Sequence, residues 1–133
     1  MKKLFIYKFT ILTLLVILYG LLMPSDSVPD LSFSIPHLDK VVHCGLFTAL
    51  TLVLSLEYTL HYRKTIPFLY LLFFGSLFGL VTELLQGSLT AGRMADPLDL
   101  LADITGVCLG SLLFPLFYNV FNKLLTQIKR VKS

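Results

Sequence analysis

Four apolar runs, at about residues 4–23, 41–62, 66–86 and 97–121, constrain this chain more than any other feature. Each has about the 20 residues an α-helix needs to cross the hydrocarbon of a bilayer. Within that layer every backbone amide must be bonded inside its own segment, so such runs can only be helices. Four of them in 133 residues leave room for little else. Composition agrees, at 56% hydrophobic and 14% charged, with mean hydropathy +0.82. A soluble domain of this length would carry more charge. The expected class is therefore an all-α polytopic membrane protein, a four-transmembrane-helix bundle forming one domain over residues 1–133.

Several other readings fall away. A net charge of +3, spread along the chain, does not form a nucleic-acid surface. The first run follows Lys2 and Lys3 and is long for a signal peptide, with no Ala-x-Ala after it, so it reads as an uncleaved span. Cys44 and Cys108 lie in apolar runs and read as small buried hydrophobes, with no Cys-x-x-Cys spacing to suggest zinc.

Charge gives an orientation. With four spans, both termini share a side, and that side holds Lys2, Lys3, Arg63, Lys64, Lys123, Lys129, Arg130 and Lys132. The opposite side has Lys40 and Arg93. The positive-inside rule then predicts cytoplasmic termini in the bacterial cytoplasmic membrane. The acids gather at the opposite, outer rim. Glu57 is the exception and is expected to form a solvated pair with His61 at the inner surface.

Residues 96–110 hold the most informative pattern. Asp96 is a good N-cap, Pro97 a good first helical residue, and Asp99 falls where free amides favour a carboxylate. Asp96, Asp99, Asp103, Gly106 and Gly110 then recur at helical spacing, so they share one stripe. Its first half is acidic and its second half lacks side chains. The second run brings Asp39, Lys40 and His43 to the same level, and the third brings Glu83 and Gln86. Turning these faces toward one another is the simplest way to keep them from lipid. Gly75 and Gly79, like Gly106 and Gly110, form small-x-x-x-small pairs suited to close helix packing.

Taken together these motifs resemble the VanZ-like membrane proteins. The resemblance rests on Asp39-Lys40-x-x-His43, Glu83-x-x-Gln86, Arg93-x-x-Asp96-x-x-Asp99 and Asp103-x-x-Gly106-x-x-x-Gly110, and covers roughly residues 36–112. Where the family usually has Asn, this chain has Asp103, which adds a carboxylate to the cluster. The resemblance implies an integral membrane protein of the cell envelope, from a family whose founding member is linked to teicoplanin resistance.

Function stays open among three classes. A non-enzymatic envelope protein would affect lipid-tailed glycopeptides or handle envelope lipids. A membrane enzyme would act on a lipid-linked phosphate or glycan precursor, with Glu83 or His43 as general base and Lys40 and Arg93 binding the anion. A small proton-coupled transporter would need to oligomerise. His43, Glu83, Asp99 and Asp103 could also ligate magnesium, manganese or zinc, but there is no His-Glu-x-x-His pattern, so no metal or other cofactor is expected. The expected partners are membrane lipids, with a lipid-linked precursor or a lipoglycopeptide as candidate ligand and a homo-oligomer left open.

Overall fold

The computed structural model describes residues 4–22, 37–89 and 96–131. A short 3₁₀ turn, Leu4–Tyr7, leads into α1 (Lys8–Leu22). Three longer helices follow: α2 (Leu38–Tyr62), α3 (Phe68–Leu89) and α4 (Pro97–Val131). No strand occurs among the described residues. All four apolar segments are long and apolar enough to cross a membrane. α1 falls inside its expected run and α3 starts two residues after its own, but three ends run past the expected bounds. α2 begins three residues earlier, α3 ends three residues later and α4 reaches Val131, since backbone hydrogen bonding continues beyond the apolar stretch. The 35 residues of α4 measure about 52 Å at 1.5 Å each, more than a bilayer's hydrocarbon, so its last turns project from it.

Burial is inverted relative to a soluble protein. Among the described residues seven apolar side chains are buried against ten polar or charged ones, while Phe5, Leu69, Phe73 and Leu112 are among many large apolar side chains left outside. Lipid covers an apolar exterior without cost, so the interior is where polar groups find partners.

The helices form a ring in the order α1, α2, α4, α3. α4 packs most closely on α2 and next on α3, while α2 and α3 barely touch. Glycines set the tightest approaches. A Cβ at Gly106 would run into the Cys44 carbonyl of α2, and one at Gly110 would lie 2.7 Å from Thr51 Cβ. Gly75 and Gly79 play the same part between α3 and α4, facing Val107 and Asp103. Thr48 Oγ1 donates to the Gly106 carbonyl across the α2–α4 seam, at 3.1 Å.

Because α2 and α3 stand apart, a cleft of about 710 Å³ opens at the ring's centre. Its lining is apolar and comes from all four helices, including Leu14, Leu50, Leu54, Phe78 and Val107. Tyr70 and Phe74 line it and are also exposed on the outer face of α3, so it opens sideways toward lipid.

Candidate functional site

At one end of the bundle lie the start of α2, the end of α3 and the start of α4. Asp96 caps α4 by accepting the Leu98 amide at 2.9 Å, as its position before Pro97 predicts. The α4 stripe then faces α2. Lys40 of α2 donates to Asp96 at 2.8 Å, to Asp99 at 2.9 Å and to its neighbour Asp39 at 3.2 Å. An ammonium has three protons to give, and three carboxylates take them. The Lys40 ammonium beside Asp96, joined by the Leu98 amide, holds that carboxyl below the usual carboxylate range.

One turn deeper, the residues are buried. His43 Nδ1 lies 2.9 Å from Asp103 Oδ1 and 3.8 Å from Glu83 Oε1. His43 and Glu83 are each 4% exposed and Asp103 is fully enclosed. Glu83 is fixed from above, since its Oε2 accepts the Asp96 amide at 3.1 Å. Its Oε1 has no hydrogen-bond partner, and neither has Asp103 Oδ2. A Cβ at Gly79 would come within 2.8 Å of Asp103 Oδ2, so the glycine makes the space that this carboxylate fills. Below the cluster, Phe47 packs on Phe78 with ring centroids 5.6 Å apart. Phe78 and Val107 then begin the apolar cleft.

The residues expected at the rim thus divide. Asp39, Lys40, Asp96 and Asp99 form an outer ion-pair layer, and His43, Glu83 and Asp103 form a buried layer beneath it. Within the buried layer the hydrogen-bonded partner of His43 is Asp103, with Glu83 3.8 Å away. Gln86 shares this end but points elsewhere, donating to the Leu21 carbonyl at the end of α1 at 2.8 Å. It ties α3 to α1 and does not join the His43 group. Arg93 lies outside the described residues. Cys44 and Cys108 are both free thiols and half-buried.

Glu57 needs correction. It is not a solvated partner of His61. It is 8% exposed and accepts the Phe9 amide at 2.9 Å, the Thr10 amide at 2.9 Å and the Thr10 hydroxyl at 2.7 Å. Those amides belong to the first turn of α1, where no intrahelical acceptor is available. Glu57 therefore clasps α1 to α2 from inside the bundle. The partners are 47 and 48 residues apart, so sequence spacing gives no sign of the pairing. The only hint is that both Thr10 and Glu57 are polar residues inside apolar runs.

Four membrane-spanning helices around an enclosed imidazole–carboxylate group define a small polytopic membrane protein with an intramembrane polar site. The chain belongs to the VanZ-like family, whose model, described as VanZ/LLP1, matches residues 5–118. No curated protein and no solved structure matches the chain.

Proposed function

We propose that this protein handles an amphipathic lipid of the bacterial cell envelope, binding it between the acidic end of the bundle and the central cleft. The observation that carries this reading is the cleft itself. At about 710 Å³ it is within the range of small-ligand sites, roughly 300–1,000 Å³. It is apolar along its length and reaches the lipid-facing surface of α3, which suits an acyl chain entering from the bilayer. Val107 at its upper end is four residues from Asp103, about 6 Å along α4, so a polar head would reach the cluster once the Phe47–Phe78 contact between them parts. In this reading, following the positive-inside rule, the acidic end would lie outside and both termini in the cytoplasm. A lipid-tailed glycopeptide such as teicoplanin would encounter the same leaflet.

Two experiments test this. Full-length protein purified in mild detergent is expected to carry lipid detectable by native mass spectrometry, and Leu50→Trp, which fills the cleft, is expected to lose it. Wild-type protein expressed in a teicoplanin-sensitive host is expected to reduce susceptibility. Unchanged susceptibility removes the antibiotic role, and lipid retained by the folded Leu50→Trp variant removes the cleft.

A membrane enzyme is the second reading, favoured by the His43–Asp103 pair. A carboxylate 2.9 Å from one ring nitrogen orients an imidazole as a general base requires. The outer layer argues against Lys40 as the anion grip in such an enzyme, because its three donors are engaged by acids. Turnover of a lipid pyrophosphate by the wild type and not by His43→Ala would favour the enzyme over the binding protein.

A further inference from the structure

We propose that His43, Glu83 and Asp103 form a binding site for a divalent transition-metal ion of the zinc or manganese class. The inference concerns the polar site alone and stands whether or not the cleft takes a lipid.

The donor atoms are already gathered. One ring nitrogen of His43 and one oxygen each from Glu83 and Asp103 all lie within 4.8 Å of one another. The His43–Asp103 and His43–Glu83 separations are 2.9 and 3.8 Å. Zinc bonds of about 2.0–2.1 Å in a tetrahedron put neighbouring ligand atoms about 3.3 Å apart. Modest side-chain rotations would bring all three onto one ion.

The second observation is independent of this spacing. Two carboxylate oxygens in the cluster, Glu83 Oε1 and Asp103 Oδ2, are buried without a hydrogen-bond partner. Buried polar atoms nearly always have one. Protonating Glu83 Oε1 would create a hydroxyl that itself needs an acceptor, whereas a cation satisfies a carboxylate from any lone pair. Charge points the same way. Among the described residues two carboxylates share the pocket with one imidazole, and Lys40 is engaged by Asp39, Asp96 and Asp99. A divalent ion balances the pair.

The surroundings resemble those of a metal centre. The Asp96 amide holds Glu83 Oε2 and so aims Oε1 at His43, an outer contact of the kind that orients metal ligands. A nitrogen with two carboxylate oxygens suits zinc or manganese, while magnesium and calcium prefer oxygen alone. Three protein ligands would leave a coordination position for water or a ligand group, as in catalytic rather than structural zinc sites.

The test uses tag-free, full-length protein in detergent, stripped with chelator and titrated with Zn²⁺ and Mn²⁺ by calorimetry, with metal analysis after dialysis. One ion per chain is expected at micromolar concentration. His43→Ala, Glu83→Gln and Asp103→Ala are each expected to weaken binding at least tenfold, with helicity and elution volume unchanged. Should a variant fail to fold, Co²⁺ added to the wild type reads the site directly, through visible absorption bands expected of nitrogen and oxygen ligation. No saturable ion on the wild type, no such bands, or affinity that survives all three substitutions overturns the proposal. The lipid reading fails separately. Leu50→Trp is expected to shed lipid and keep the ion, so loss of the ion site leaves the cleft result untouched.

Discussion

Glu57 and Glu83 are both buried glutamates inside membrane-spanning helices, at opposite ends of the bundle, with 8% and 4% of their surface exposed. Glu57 has three donors on its two oxygens, all from the first turn of α1. Glu83 has one donor, on Oε2, and its other oxygen is directed at an imidazole with no hydrogen bond made. A carboxylate with both oxygens filled by amides and a hydroxyl has completed its task within the fold. One that is anchored by a single oxygen, with the other buried and unused beside His43 and Asp103, has capacity left over, which the proposed ion would take up. Burial alone does not distinguish the two glutamates. The count of satisfied oxygens does.

The largest expected effect breaks the first half of this contrast. Glu57→Ala leaves the buried amide and hydroxyl of Thr10 without an acceptor, at about 1–3 kcal/mol each, and frees the part-buried Phe9 amide. It is expected to cost several kcal/mol and to abolish accumulation in membranes, measured by immunoblot and by thermal unfolding in detergent. Normal accumulation would show that α1 docks by other means.

Next in size is Gly106→Ala. Its methyl group meets the Cys44 backbone carbonyl, which cannot rotate away, and Phe47 Cβ at 2.9 Å. Overpacking of this kind costs about 1–3 kcal/mol, so a fall in unfolding temperature is expected. An unchanged melting curve would mean that α2 and α4 do not pack as closely as described.

Glu83→Gln sharpens the contrast directly. The amide keeps an oxygen for the Asp96 N–H, so unfolding temperature is expected to shift far less than for Glu57→Gln, measured in parallel. Equal destabilisation of the two would erase the distinction between clasp and site.

The smallest effect is expected at the outer layer. Lys40→Met releases Asp39, Asp96 and Asp99 from their shared cation. These groups are partly solvated, so the loss in unfolding temperature is expected to be small. It is also expected to shrink as salt rises from low to high, because mobile ions screen such pairs. A loss independent of salt would place the pair in a drier setting than its exposure indicates.

Much of the fold is legible from hydropathy, because crossing lipid demands a single local solution from each apolar run. The Asp96 cap and the glycine stripe are legible too, since both depend on residues close in sequence. The site is only half legible. Helical spacing puts Asp39, Lys40, His43, Glu83, Asp99 and Asp103 at one level, but it does not choose partners within that level. It gives no sign that Asp103 takes His43, that Gln86 turns to Leu21, or that Glu57 serves α1.

By itself the sequence determined four membrane helices, the Asp96 cap and the depth at which polar groups must lie, because these follow from period, length and the insolubility of bare amides in hydrocarbon. Only the tertiary structure decided who faces whom. The ring order, the open centre between α2 and α3, and the two unpaired oxygens beside His43 depend on how rigid helices rotate and pack. That choice is made by contacts between residues dozens of positions apart, which spacing along one helix does not encode.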